Sequence, residues 1–209
     1  MAEIAFLSIA VSATATVLAA LFAIPGALWI VHGHARARLL LLGIYNAGLG
    51  LPPVAVGLLV AFTFWRSGPL GRFDVLYTPA AMTIAQIIVV FPLVGTLAVL
   101  ALRAGDPTLG VQLRALGVPQ RARARLLALE AAPGLAAATL AGFGRAIAEV
   151  GAAQMTGGNI EGQTRVLTTA TMLAVGRGEF GTAFELCAIL LGLVAIAAGI
   201  AFAVQRRAW

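Results

Sequence analysis

Five apolar stretches divide this sequence, and each is long enough to cross a lipid bilayer as a helix, which takes about 20 apolar residues. They cover residues 4–31, 39–65, 79–102, 131–152 and 183–204. With 61% hydrophobic and only 11% charged residues, the chain carries more apolar surface than a soluble domain of 209 residues could bury. All five stretches have the length and composition of helices. We therefore predict an all-α integral membrane protein that forms one domain over residues 1–209.

The arginines between these stretches indicate how the chain is oriented. MAEIAFLSIA lacks the basic region of a signal peptide, so we expect the first stretch to stay as a membrane helix. With the N-terminus outside, nine arginines fall on the cytoplasmic side and four outside: Arg36, Arg38, Arg103, Arg114, Arg121, Arg123, Arg125, Arg206 and Arg207, against Arg66, Arg72, Arg165 and Arg177. This positive-inside bias predicts a multi-pass plasma-membrane protein with a cytoplasmic C-terminus. In this setting the net charge of +6 suits topology and anionic lipid better than nucleic acid.

A charged segment at about 106–130 interrupts the apolar pattern on the cytoplasmic side. Asp106 is a good N-cap, and Gly117 followed by Pro119 stops a helix. The segment therefore predicts a helix over 107–116 that is too short and too polar to cross the bilayer. One face of this helix carries three leucines, namely Leu109, Leu113 and Leu116. The chain has no lysine and no phosphate-binding loop, so any nucleotide-driven work must come from another chain.

Prolines and polar residues interrupt the first three stretches. Pro25 is expected to kink or end the first helix, and the adjacent Pro52 and Pro53 remove two amide donors from the middle of the second. That break suits either a discontinuity lining a transport pathway or a packing kink. Thr83 and Gln86 lie one turn apart in the third stretch. A buried Gln there favours a hydrogen bond to a neighbouring helix over contact with a substrate.

Ionisable residues within the apolar stretches are the next candidates. Arg145 and Glu149 stand four residues apart in the fourth stretch and can pair, either as a structural ion pair or as a pathway or gate element. An alternative function is an intramembrane enzyme that uses Glu149 as acid or base. The sequence shows no nucleophile–base pair and no cluster of metal ligands that would complete such an active site. His32 and His34 lack a third metal ligand nearby, which favours two interfacial histidines. Small residues in the fourth stretch are spaced for close helix contact: Gly134, Ala138 and Gly142, and again Gly144 and Ala148.

A loop rich in glycine, amide and hydroxyl groups follows the fourth stretch. Its candidates for the pathway are Gly158, Asn159, Thr168 and Thr169. Such a loop offers backbone donors to an anion at the outer mouth, and an ordinary connecting loop has the same composition.

Several blocks of this sequence resemble the permease subunit of a type I ATP-binding-cassette importer. Arg114-Ala115-Leu116-Gly117-Val118-Pro119 is similar to the second half of the coupling motif of that class, although Val111-Gln112-Leu113 replaces its usual Glu-Ala-Ala opening. Within the class, the resemblance to tungstate permeases of the molybdate, tungstate and sulfate group rests on Gly50-Leu51-Pro52-Pro53-Val54, Ser67-Gly68-Pro69-Leu70-Gly71, Tyr77-Thr78-Pro79-Ala80-Ala81-Met82, Gly142-Phe143-Gly144-Arg145-Ala146-Ile147 and Gly157-Gly158-Asn159-Ile160.

The resemblance implies a set of partners and a cargo. Two copies of the chain would form the pathway, a cytoplasmic ATPase would dock on the coupling helix, and an extracytoplasmic protein would deliver the oxyanion. The coupling residues would be Leu109, Leu113, Arg114, Leu116 and Gly117. No cofactor would be bound by this chain, since ATP would sit on the partner subunit. Tungstate is the expected cargo, and molybdate or sulfate are the alternative cargoes for an importer of this class. Outside this class of protein, the alternatives are a passive channel or the intramembrane enzyme considered above.

Overall fold

The computed structural model describes residues 1–32, 35–105 and 107–206, and within these ranges it holds helices and no strands. Ten α-helices run in chain order: α1 Ala2–His32, α2 Ala35–Leu49, α3 Pro53–Phe64, α4 Pro79–Ala104, α5 Pro107–Ala115, α6 Gln120–Glu130, α7 Ala132–Ile147, α8 Gly151–Gly157, α9 Leu167–Gly176 and α10 Phe180–Arg206. A 3-10 turn, Gly71–Phe73, precedes α4. The predicted N-cap Asp106 and Arg207 lie outside the described residues, as do the side chains of His32, His34, Arg36 and Arg121.

Three helices, α1, α4 and α10, are each long and apolar enough to cross a membrane. Two further spans arise if each of two bent pairs counts as one: α2 with α3, bent by 106°, and α6 with α7, bent by 67°. The chain thus forms an all-α fold with up to five membrane spans. The predicted break at Pro52 and Pro53 is confirmed, because α2 ends at Leu49 and α3 begins at Pro53. Of the two outcomes expected at Pro25, a kink or an end of the helix, the end is wrong, since α1 continues past Pro25 to His32.

The fourth span differs from its predicted bounds of 131–152. Helix α7 ends at Ile147, and the chain turns before α8 begins at Gly151. At the turn the amide of Glu149 donates to Ala146 O at 3.1 Å. This bond spans three residues, whereas a bond in an α-helix spans four. Apolar composition continues through this turn, so hydropathy alone did not reveal it. The second helix of the charged segment, α6, was likewise not predicted.

Helix α4 lies at the centre and packs against α1, α2 and α7. Tyr45 of α2 fixes this packing, because it is fully buried and its hydroxyl donates to Ala23 O of α1 at 2.9 Å. Its ring meets Phe91 of α4 edge-on, with 5.3 Å between the ring centroids. Gly95 lies against the ring, so that a Cβ there would stand only 2.5–2.7 Å from ring atoms. The three helices therefore meet around one aromatic side chain.

Glycines allow two further close approaches. A Cβ on Gly142 of α7 would stand 2.5 Å from Val94 of α4, and one on Gly134 would stand 2.7 Å from Ala101. The predicted close helix contact is confirmed at Gly134 and Gly142. It is wrong within this chain at Gly144, which has nothing within 4 Å of an added Cβ, and at Ala148, which is exposed. On the other side of α4, a Cβ on Gly57 of α3 would meet the Cα of Ala152 at 2.8 Å, which seats α3 against α8.

Candidate functional site

The charged segment folds into two short helices joined by a tight turn. Gly117 ends the turn of α5 with φ of 70°, in the left-handed region that favours glycine. Its amide donates to Arg114 O at 3.0 Å, and the amide of Val118 donates to Leu113 O, also at 3.0 Å. These two bonds form a Schellman motif, so Gly117 closes α5 by satisfying its terminal carbonyls.

The leucines predicted to form one docking face of α5 are exposed to different degrees. Leu113 is buried within the chain, Leu109 is half-buried, and Leu116 is 78% exposed in the turn after the helix. Val111, which was not among the predicted coupling residues, is 55% exposed on α5. Arg114 is exposed as well. The apolar surface available to a partner therefore includes Leu116 and Val111, while Leu113 holds α5 to its own chain.

A polar junction lies where α7, α8 and α9 meet. Arg145 Nη1 donates to Glu149 Oε2 at 2.5 Å, which confirms that the two side chains pair. Glu149 is buried, and its other oxygen, Oε1, accepts from the amide of Ala152 in the first turn of α8. Thr168 of α9 donates its hydroxyl to the backbone carbonyl of Glu149 at 3.0 Å. One residue thus ties three helices together.

The N-terminus of α9 is held from two sides. Thr169 Oγ1 accepts from the amide of Val166 at 3.1 Å, and Ser8 Oγ of α1 accepts from the amide of Leu167 at 2.8 Å. Thr168 and Thr169 are therefore buried structural groups of the junction. Ser8 was missed by sequence reasoning, and its only signal was a hydroxyl in an apolar helix, in register with Ser12 and Thr16.

Gln86 and Thr83 have separate roles. Gln86 is buried, and its Nε2 donates to Ala146 O of α7 at 3.2 Å, so the favoured hydrogen bond to a neighbouring helix is confirmed. Gln86 Oε1 is buried without a partner. Thr83 donates to Pro79 O of its own helix at 2.8 Å. Gln86 therefore bonds α7 next to Arg145, whereas Thr83 bonds within α4.

At the break between α2 and α3, some backbone groups form hydrogen bonds with residues close by in the sequence. The amide of Gly50 donates to Ala47 O at 3.1 Å, and the amide of Leu51 donates to Gly48 O at 3.2 Å. Pro52 is exposed at the break, and Pro53 opens α3, where a missing amide costs nothing. The break redirects the chain so that α3 packs against α8, close to the polar junction.

The loop after α8 is closed by its own hydrogen bonds. Gly158 and Asn159 both adopt left-handed backbone, with φ of 69° and 54°. Three successive amides, those of Gln163, Thr164 and Arg165, donate to Ile160 O. Asn159 Oδ1 is buried without a partner. The backbone groups expected to serve an anion are therefore largely used within the loop.

Thr164 is the residue on which this loop depends. It is fully buried, its hydroxyl donates to Gly157 O, and it accepts from the amide of Ile160 at 3.0 Å. We expect Thr164→Val to lower the free energy of unfolding by about 1–3 kcal/mol, because both backbone groups lose their partner. Thermal unfolding in detergent measures this. The matched control is Thr63→Val, whose exposed hydroxyl bonds only within α3; equal loss in both variants would contradict the assignment.

An open groove of about 1080 Å³ runs along α7 between α4 and α10. Its lining is dominated by small apolar side chains. Gly105, Glu130 and Gln205 lie at the end next to the charged segment, and Gly144 lies at the other end, beside Arg145. Across residues 1–32, 35–105 and 107–206, no group of three or more His, Cys, Asp or Glu side chains could hold a metal ion.

Comparison with known proteins identifies the class to which this helical arrangement belongs. No family model matches the chain. It is 35% identical over 199 residues to the "Probable anion ABC transporter permease protein" of Haloferax volcanii, covering 93% of this chain and 86% of that protein. It is 38% identical over 189 residues to the tungstate uptake system permease protein TupB of Peptoclostridium acidaminophilum, covering 90% and 82%. The molybdenum transport system permease protein ModB of Escherichia coli K12 is 30% identical over 200 residues, covering 91% and 87%.

Identity of this extent over nearly the whole length establishes a common family. The chain belongs to the family of ABC-transporter permeases that includes these anion, tungstate and molybdenum permeases. It is accordingly a multi-pass membrane protein with a transport role.

Proposed function

We propose that this chain is the permease subunit of an ATP-driven importer that carries tungstate into the cytoplasm. The observation that carries the cargo is the 38% identity to a tungstate uptake permease over 90% of this chain. Identity to a molybdenum permease is lower, at 30% over a similar share. Molybdate and sulfate therefore remain competing cargoes within the same class.

Three partners complete this importer. A second copy of the chain encloses the pathway, a separate cytoplasmic ATPase binds and hydrolyses ATP, and an extracytoplasmic protein delivers the oxyanion. The absence of lysine and of a phosphate-binding loop from the sequence supports an ATPase on another chain. The positive-inside bias supports an external N-terminus and a cytoplasmic charged segment. The chain itself binds no cofactor.

The charged segment supplies the mechanical link to the ATPase. Val111, Arg114 and Leu116 present exposed surface on α5 and its turn, and Gly117 fixes the direction in which the chain leaves. Helix α6 then passes into α7 through Ala131, whose amide donates to Leu127 O and whose carbonyl accepts from Leu135. A displacement of α5 is therefore passed into α7. Transport is driven if the two arrangements of the spans bind the ATPase states with different affinity.

Competition between oxyanions tests the cargo. The purified chain is reconstituted in proteoliposomes with its ATPase and binding protein, and ATP-driven uptake of labelled tungstate is measured against unlabelled tungstate, molybdate and sulfate. We expect tungstate to compete at the lowest concentration. Stronger competition by molybdate or sulfate would contradict tungstate as the cargo while leaving the permease role in place.

A further inference from the structure

Arg145 lies on a face of α7 that is free within one copy of the chain. Its side chain is 37% exposed, although its partner Glu149 is only 5% exposed. Ala141 and Ala148 share this face at helical spacing and are exposed, and Gly144 has no neighbour within 4 Å of an added Cβ. One cation thus stands among small residues that leave space around it.

The depth of Arg145 follows from the neighbouring helices. Gln86, which bonds the carbonyl of Ala146, is seven residues beyond the start of α4, so this level lies about 10 Å along that helix. Arg145 is thirteen residues beyond Ala132, or about 20 Å along α7. Arg145 therefore lies in the last turn of α7, two residues before its end, at the level of a residue about 10 Å inside α4. A partly exposed charge among these apolar helices cannot face lipid cheaply. It needs a polar, water-filled surrounding or an opposing polar surface.

The groove along α7 leads from this residue to the charged segment. Gly144 is its last lining residue on α7 at the outer end, directly before Arg145, while Glu130 and Gln205 lie at the cytoplasmic end. Small side chains keep this route wide along α7. The face with Arg145 and the groove are thus continuous, as a route from a binding point to the cytoplasm requires.

We infer that Arg145 binds the translocating oxyanion inside the membrane, together with Arg145 of a second copy, and that Glu149 is the carboxylate that competes with the anion and releases it. This inference rests on the proposed function. A guanidinium offers paired N–H donors that match two oxygens of a tetrahedral oxyanion. One of its nitrogens is already bonded to Glu149, so binding of the anion is weakened. Weak binding suits transport, because an ion must leave the site as readily as it enters.

Hydrogen bonds other than the one to Arg145 hold Glu149 in position while the anion passes. Its Oε1 accepts from Ala152 and its backbone carbonyl accepts from Thr168, so loss of the bond to Arg145 does not free it. The site is incomplete in one copy, because 37% of the Arg145 side chain stays exposed and so is not enclosed by the described part of the chain. Two copies would place two arginines, each with its own carboxylate, on either side of the pathway.

The test measures KM and the maximal rate of ATP-driven tungstate uptake in the reconstituted complex. We expect Arg145→Gln to raise KM by about 10- to 100-fold, as for loss of charge-assisted hydrogen bonds, and Arg145→Lys to fall between it and the wild type. Glu149→Gln is expected to lower KM and to slow the maximal rate, since the competing charge is gone. A purely structural pair would give both variants the same defect, without opposite changes in KM.

The double variant Arg145→Gln/Glu149→Gln guards against misfolding, because it leaves no unpaired buried charge. We expect it to fold and still to lack uptake at low tungstate; recovery of wild-type KM would overturn the inference. Arg177→Gln, on an exposed arginine, is the control and should transport normally. Wild-type uptake in the same vesicles distinguishes failure of the proposed function from failure of anion binding by Arg145. If the wild type transports tungstate and Arg145→Gln has the same KM and maximal rate, Arg145 does not bind the anion, and the proposed function stands.

Discussion

The Gly117→Val variant is expected to insert into the membrane normally and to lose most ATP-driven uptake. A β-branched residue in left-handed backbone costs about 1–2 kcal/mol, which opens the two hydrogen bonds that close α5 at Arg114 and Leu113. In a two-state turn this lowers the ratio of closed to open turn by about 5- to 30-fold. No side chain obstructs the site, because nothing lies within 4 Å of an added Cβ. Loss of uptake would therefore arise from the backbone alone.

The matched variant at this position is Gly117→Asn. Asparagine tolerates left-handed backbone, so we expect it to retain much more uptake than valine does. Surface labelling and yield from the membrane fraction show whether both variants insert equally. Equal uptake by Gly117→Val and wild type would contradict the role of α5 in coupling.

The Gly95→Leu variant is expected to have the largest effect on stability. Its side chain would enter the space of the Tyr45 ring, and that ring cannot move away because its hydroxyl is bonded to Ala23 and its edge packs on Phe91. Overpacking of this kind costs about 1–3 kcal/mol, and more where the neighbour is fixed on several sides. We expect a clearly lower melting temperature in detergent and loss of a single sharp peak in size-exclusion chromatography.

Gly43→Leu provides the control on the same helix as Tyr45. Gly43 is exposed and has no neighbour within 4 Å of an added Cβ. Leucine is a better helix former than glycine by up to about 1 kcal/mol, so stability should be equal or higher. If Gly95→Leu unfolds at the same temperature as Gly43→Leu, the account of Tyr45 as the point where three helices meet is wrong.

Local signals predicted the features that depend on one or two residues. Consecutive prolines remove two amide donors wherever they stand, so the break between α2 and α3 followed from Pro52 and Pro53 alone. Gly117 with Pro119 two residues later predicted that α5 stops just before Gly117, and helical spacing predicted the pair of Arg145 with Glu149. Small residues near Gly142 indicated a close helix contact, although the partner helix could not be named.

Features that depend on distant parts of the chain could not be predicted. The bond from the amide of Leu167 to Ser8 joins residues 159 positions apart, and nothing near either residue indicates the other. At the turn after α7, the backbone carbonyl of Glu149 accepts from Thr168 of α9, 19 residues away, while the sequence around the turn stays apolar. The burial of Leu113 likewise depends on how α5 packs, which the spacing of its leucines does not determine.

Uptake of tungstate into proteoliposomes, with and without hydrolysable ATP, distinguishes an ATP-driven importer from a passive channel. The vesicles contain this chain, its ATPase and the binding protein, and parallel vesicles omit the ATPase or receive a non-hydrolysable ATP analogue. For an ATP-driven importer, we expect tungstate to accumulate against its gradient only in the complete system with ATP. Tungstate passage through the chain without the ATPase would indicate a passive channel and contradict it.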